Sequence, residues 1–349
     1  MDINGFGFYK SKAISLDVYF AVNHMKERLL IMQAKDVCRI AIGGAGIMGT
    51  SIAQIFAKYG YSVVLYDIVT KSIENGKKLI AINQETAIAE GEIKPEDSKE
   101  LLDRISFSMD PKCFSNADFV IEAIVEDMKV KHDFWFQVSE IVPTGAILTT
   151  NTSGLSITEI AKAVKKPERF AGMHWVNPPH IVPLVEVICG EKTDLAAAET
   201  IAEVAIKIGK KPVMVKKDAQ GFILNRLQFC ILREAMHIVE SGIAGIEDVD
   251  AVMKYGLGMR YACLGPFEIA DLGGLDTFYS IASYLFADLS DMKEPPKMFS
   301  DLIDQQFYGT KSGRGFYDYS NGKAEKVIEK RDKDFIKIAN CLYKSTGRK

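Results

Sequence analysis

A chain of 349 residues, 48% of them hydrophobic, can bury one large core or two ordinary ones, so two domains are expected and a disordered chain is excluded. The formal net charge of −3 leaves no surplus of positive charge to hold a polyanion, which argues against nucleic acid as a partner. No run approaches the roughly 18 uninterrupted apolar residues of a membrane span. The six scattered cysteines form neither a C-x-x-C pair nor a Cys/His spacing for a metal, as expected of reduced thiols in a cytoplasmic protein.

Residues 1–36 precede the first clear strand and lack the basic, apolar and small-residue layout of a secretory signal, so they form a leader without an assigned role. From Val37 short β-branched runs alternate with helical patterns, the signature of stacked βαβ units. The expected strands are Val37–Ile42, Ser62–Tyr66, Ile105–Ser108, Asp118–Ile124, Ala146–Thr150, Arg169–His174 and Lys211–Lys216. After the first comes a G-x-G-x-x-G formed by Gly44, Gly46 and Gly49, followed by a helical stripe of Met48, Ile52, Ile55, Phe56 and Tyr59 that Gly60 closes.

A lone glycine triplet is often an ordinary tight turn, but this one sits between strand and helix. There the first glycine permits the turn, the second lets the backbone approach a pyrophosphate, and the third allows close packing of helix on strand. The helix N-terminus adds unpaired N–H groups for the phosphates. Asp67, at the end of the second strand, is placed to accept hydrogen bonds from an adenosine ribose. An acid there repels a 2′-phosphate, and no Arg or Lys immediately follows it, so NAD is favoured over NADP. The fingerprint by itself also suits FAD.

Between the second and third strands a Lys- and Glu-rich helical stretch exceeds a single crossover helix and reads as a helical arm. Asn151-Thr152-Ser153 ends a strand on the carboxyl side of the sheet, where open α/β folds place their ligands. Beyond Gln220-Gly221 the texture changes: Phe222–Glu240 reads as one helix apolar almost all round, to be buried between layers or subunits, and more helices follow. The expected organisation is a dinucleotide-binding domain over 37–216, an all-helical domain over 217–320 that makes a homodimer contact, and a tail over 321–349. In fold class this is α/β, a Rossmann-type doubly wound and mostly parallel sheet with a helical arm, followed by an all-helical C-terminal domain.

One run is more specific. Gly172-Met173-His174-Trp175-Val176-Asn177-Pro178-Pro179, followed by Leu184-Val185-Glu186-Val187, resembles the signature of the 3-hydroxyacyl-CoA dehydrogenase family. The resemblance spans about residues 38–320 and implies that His174 and Glu186 form the catalytic dyad. Chemistry supports the pairing. Oxidising a secondary alcohol needs a base for the hydroxyl proton, and imidazole titrates near neutrality. A carboxylate on the second ring nitrogen fixes the tautomer and favours the imidazolium formed.

The same resemblance implies further roles. Glu126 and Lys131, in the Glu122-Ala123-Ile124-Val125-Glu126…Lys131 segment, would contact the nicotinamide ribose region of NAD. Ser153 would contact the substrate hydroxyl, Asn177 would lie near the nicotinamide and base, and Asn225 would bind substrate from the second domain. The implied substrate is an acyl-CoA, 3-hydroxybutyryl-CoA first, which would place the chain in fatty acid metabolism and β-oxidation. The length leaves no room in this chain for a fused hydratase.

Three features depart from the family. The arm, where relatives supply cations for coenzyme A, offers Lys71, Lys77, Lys78 and Lys94 against Glu74, Glu85, Glu90 and Glu92, so its charges cancel. Val182-Pro183 stands where many acyl-CoA members carry Met-Lys, and relatives acting on L-gulonate or L-carnitine have a loop similar to this one. Gly154 replaces a common second serine. The alternatives are therefore a dehydrogenase of a free 3-hydroxy acid and a non-enzymatic, crystallin-like NAD-binding protein.

Overall fold

A computed structural model describes residues 31–343 apart from Glu90 and Glu92; residues 1–30 of the leader and 344–349 of the tail lie outside the described residues, as do those two arm glutamates. The elements in order are β1 (Arg39–Gly43), α1 (Ile47–Lys58), β2 (Ser62–Tyr66), α2 (Thr70–Ala89), α3 (Pro95–Asp103), β3 (Ile105–Ser108) and β4 (Phe119–Glu122). Next come α4 (Met128–Ile141), β5 (Ile147–Thr150), β6 (Phe170–Trp175), β7 (Leu184–Ile188), α5 (Leu195–Lys207) and β8 (Lys211–Val215). The chain then turns wholly helical, beginning with α6 (Leu224–Glu240) and ending in the helix Lys323–Ile338 and a last turn to Tyr343.

The strands form one eight-stranded sheet in the order β3-β2-β1-β4-β5-β6-β7-β8. Every neighbouring pair is parallel except β6 and β7, which run antiparallel. The order reverses between β1 and β4, and a crevice at the carboxyl ends of such strands is where doubly wound sheets bind ligands. One apolar layer packs Ile52 and Phe56 of α1 and Ile201 of α5 on Met173 and Trp175. The other packs Trp135 and Val138 of α4 with Phe114, Ile157 and Phe222.

β7 is the element missing from the sequence reading. Prolines 178, 179 and 183 precede it, and Glu186 interrupts its apolar run, so the segment reads as loop. In the sheet it is nearly buried, and its pairing sets His174 directly opposite Glu186. Strand ends also shift. β1 starts at Arg39 rather than Val37 because the Cys38 and Arg39 amides donate to the Asp118 carboxylate, at 3.0 and 2.8 Å, instead of to a ladder.

The arm is two helices laid against α1. Ile73, Gly76 and Ile80 face inward. A buried polar chain joins them: Ser98 Oγ donates to Gln84 Oε1 (3.0 Å) and Gln84 Nε2 donates to Gln54 Oε1 (2.9 Å). Its lysines stay at the surface, with Lys77 Nζ 5.0 Å above the Phe107 ring.

α6 begins two residues later than expected because Gly221 (φ 76°) and Phe222 (φ 52°) are both left-handed. The expectation that this helix is buried is not met among the described residues of one chain: of residues 223–343 only Met236, Ser290 and Pro296 are buried. Phe267 is 86% exposed and Tyr255 81%. No described helix is long and apolar enough to cross a membrane.

Candidate active site

At the switch point the glycine loop is built by close approach. Gly44 is left-handed (φ 105°), and a side chain there would strike the Ala123 carbonyl of the neighbouring β4 turn. A side chain at Gly49 would strike the Gly44 carbonyl, whereas one at Gly46 would meet nothing within 4 Å. Gly46 is thus the glycine whose bare face borders open space. It also precedes α1, which has no side-chain cap and no acid in its first turn, so its leading N–H groups remain available to an anion. Asp67 Oδ2 accepts from Ala45 N and Oδ1 from Val69 N, both at 2.9 Å, which ties the acid to the loop. Open space at Gly46, a bare helix N-terminus and a carboxylate at the end of β2 fit the pyrophosphate and ribose of NAD.

Beside this loop, β4 ends in Glu122, a fully buried acid. Its Oε1 accepts from Lys131 Nζ (2.5 Å) and Ile124 N (3.1 Å), and its Oε2 from Thr150 Oγ1 (2.7 Å) and Trp135 Nε1 (3.3 Å). Lys131 also reaches Glu126 Oε2 at 3.3 Å and is only 1% exposed. Its ammonium is enclosed between two carboxylates, as a buried lysine must be, so any contact of Lys131 with a bound nicotinamide ribose would be made from behind Glu126. Glu126 is the member that reaches the surface. Its Oε1 accepts from Thr152 Oγ1 (2.5 Å) and Ser153 N (2.9 Å). Burial pushes the Glu126 carboxyl up, but the Thr152 hydroxyl, Lys131 and the Ser153 amide outweigh it and hold the group below its ordinary value.

His174 Nδ1 lies 2.8 Å from Glu186 Oε2, across the β6–β7 ladder. The other Glu186 oxygen accepts from Ile223 N and Leu224 N, both at 2.9 Å, so the carboxylate also caps the first helix of the helical region. Burial raises the Glu186 pKa, and the hydrogen bonds from His174, Leu224 and Ile223 more than reverse this, leaving a net depression. With the ionised carboxylate accepting at Nδ1, the tautomer that remains exposes Nε2 as a proton acceptor. The ring of Phe222 stands 5.7 Å from the imidazole and covers it.

A cleft of about 480 Å³ opens here, walled by Ser153, His174, Asn177 and Asn225, with Asn151, Gln228, Ile47 and Met48 around them. Asn225 Nδ2 donates to Ser153 O at 2.7 Å, joining the helical region to the β5 loop. Ser153, His174, Asn177 and Asn225 are thus gathered in one cleft, and Gly44, Gly46, Gly49, Asp67 and Glu126 surround the adjoining crevice. Glu186 and Lys131 sit behind the wall. The sequence reading gave no role to Glu122 or Gln228, and it named Asn151, whose Oδ1 accepts from Trp175 N (2.9 Å), only as part of the polar strand end. Among the described residues no three His, Cys, Asp or Glu side chains gather as a metal site.

Comparison with known proteins matches residues 39–219 to the NAD binding domain of 3-hydroxyacyl-CoA dehydrogenase and residues 221–319 to its C-terminal domain. The chain is 39% identical to a probable 3-hydroxybutyryl-CoA dehydrogenase of Bacillus subtilis, over 81% of this chain and 98% of that one. It is 34% identical to 5-formyl-3-hydroxy-2-methylpyridine 4-carboxylate 5-dehydrogenase of Mesorhizobium japonicum, over 87% of this chain and 97% of that one. The crystal structure of a dehydrogenase for that pyridine carboxylate, described as an NAD+-dependent dismutase, superposes with a TM-score of 0.82 at 34% identity, covering 90% of this chain and all of the other. The (S)-3-hydroxybutyryl-CoA dehydrogenase of Ralstonia eutropha gives a TM-score of 0.69 at 32% identity, over 82% and 100%. The chain therefore belongs to the 3-hydroxyacyl-CoA dehydrogenase family and is an NAD-dependent oxidoreductase acting on a CH–OH group.

Proposed function

We propose that this enzyme interconverts a short (3S)-3-hydroxyacyl-CoA, 3-hydroxybutyryl-CoA first, with its 3-ketoacyl-CoA. The observation that carries the reading is the neutral, amide-rich wall around His174: Ser153, Asn177, Asn225 and Gln228 offer hydrogen bonds, and among the described residues no Lys or Arg lines the cleft. Neutral donors suit a thioester carbonyl. A free carboxylate beside the reacting carbon would call for a cation.

In oxidation the substrate hydroxyl gives its proton to His174 Nε2, and Glu186 stabilises the imidazolium through Nδ1. In reduction the imidazolium returns the proton to the developing alkoxide. Ser153 holds the reacting oxygen, Asn177 positions it against the imidazole, and Asn225 contacts the acyl group from the helical region. Bound NAD supplies the acceptor for the hydride that leaves the carbinol carbon. The Gly46 amide region would hold its pyrophosphate, Asp67 the adenosine ribose, and Glu126 the nicotinamide ribose. We also infer a homodimer through the helical region, whose apolar side chains find no cover among the described residues of one chain, and a cytoplasmic site of action, consistent with six unpaired cysteines.

A second reading, a substrate bearing a free carboxylate, is favoured by one observation: the pyridine carboxylate dehydrogenase superposes better and over more of the chain than the hydroxybutyryl-CoA enzyme. Purified protein mixed with NADH and acetoacetyl-CoA, with L-gulonate plus NAD and L-carnitine plus NAD alongside, separates the two. Loss of NADH absorbance with the thioester alone is expected. Turnover of the free acids alone would overturn the thioester reading.

A further inference from the structure

Residues 176–183 connect β6 to β7, so the loop between His174 and Glu186 also carries Asn177. Its prolines at 178, 179 and 183 donate no backbone hydrogen bonds, and within the loop Ile181 N and Val182 N both donate to Pro178 O, at 3.1 and 3.0 Å. A side-chain tie from outside the loop comes from Lys210. Its Nζ donates to Pro179 O and, at 2.9 Å, to Val182 O, and it stands 5.3 Å from the centre of the Trp175 ring, one residue beyond His174. The next residue pins the far end of the loop, Lys211 N donating to Pro183 O at 2.8 Å.

Lys210 is 7% exposed and forms no ion pair among the described residues. Burial alone pushes it down to about 8. A buried ammonium without a counter-charge opposes folding, and a methionine would fill similar space at no such penalty. What the lysine offers that methionine cannot is a set of donors for two carbonyls at once, together with cation–π contact to Trp175.

We propose that Lys210 is a positioning residue for the dehydrogenase reaction: its ammonium, clasping the Pro179 and Val182 carbonyls against Trp175, sets the loop that holds Asn177 beside His174. It is not among the residues that line the cleft. Its influence runs through the loop, so it bears on how the acyl substrate sits and not on how NAD binds. The inference rests on reading His174 and Glu186 as the proton-transfer pair.

The test compares Lys210→Met, Lys210→Arg and His174→Gln with the wild type, using acetoacetyl-CoA and NADH. For Lys210→Met, kcat/KM toward acetoacetyl-CoA is expected to fall about 10- to 100-fold, the range a small misplacement of a reacting group produces. NADH affinity should stay within about twofold, less than ~0.4 kcal/mol. Lys210→Arg, which keeps charge and donors, should recover most of the activity, and tryptophan emission should shift in the Met variant alone. If the Met variant fails to fold, Lys210→Gln, with two N–H donors and no charge, takes its place and should lie between Met and Arg. Wild-type kinetics in Lys210→Met, or equal loss of thioester turnover and NADH binding in both Met and Arg, would overturn the proposal. Activity in His174→Gln would instead remove the reading beneath it, so the two failures are distinguishable.

Discussion

Glu186 serves two structures with one carboxylate, giving one oxygen to His174 and the other to the amides that open α6. Its unfolded pKa is the ordinary 4.5 and its folded pKa is lower, so its stabilising contribution is complete above pH 4.5 and is lost as pH falls through the folded value. Glu186→Gln should therefore lose turnover and also flatten the decline of thermal stability on acidification; an unchanged acid profile would remove the linkage. Lys131 makes a different case. Replacing it with Met leaves Glu122 buried without its cation, which should cost about 3–5 kcal/mol in a denaturant titration. A wild-type midpoint would contradict a structural role for the Lys131–Glu122 pair. At this scale the contact between His174 and Glu186 was legible because the His174-to-Pro179 run resembles one family's signature. The enclosure of Lys131 was not, since a lysine on a helix reads as solvated until the acid on the strand beneath it is seen.

The glycine loop and β7 show what elements add. Gly46 has an ordinary φ of −75° and open space at its Cβ position, whereas Gly49 is packed on the Gly44 carbonyl. Gly46→Ala should fold with wild-type thermal stability and weaken NAD binding about tenfold or more, ~1.4 kcal/mol. Gly49→Ala should lose about 1–3 kcal/mol of stability through overpacking. Calorimetric melting and NAD titration of both variants would separate the roles, and equal behaviour would contradict them. Seven strands could be read from β-branched runs between turn residues, with ends wrong by a residue or two where Asp118 takes over the backbone amides of Cys38 and Arg39. β7 could not, because prolines and a buried acid disguise a strand whose pairing partner lies across a loop. That hidden strand is the one that brings Glu186 to His174.

At the level of the whole molecule, the described residues bury the sheet on both faces but leave the helical region largely uncovered. The sequence reading took α6 as apolar almost all round, but the helix is two-faced, carrying Asn225, Arg226, Gln228, Arg233, Glu234, His237 and Glu240, and among the described residues only Met236 of it is buried. Leu227 and Phe229 of α6 stand exposed with Phe267, Leu272 and Tyr279 of the following helices. We expect sedimentation equilibrium to give twice the 38.7 kDa chain mass at micromolar concentration, and Leu227→Asp combined with Phe229→Asp to dissociate the assembly. A stable monomer with wild-type activity would contradict this arrangement. Substrate class was the least legible property, because it depends on cleft polarity and on an arm whose lysines and glutamates cancel in sequence.

The most direct test of the central claim is the rate of NADH loss on adding acetoacetyl-CoA, measured for the wild type and for His174→Gln. We expect turnover by the wild type and a rate lower by about 10²- to 10⁴-fold in the variant, with its NADH affinity retained, because the imidazole acts in proton transfer rather than in cofactor binding. No oxidation by the wild type, or an unchanged rate in His174→Gln, would contradict it.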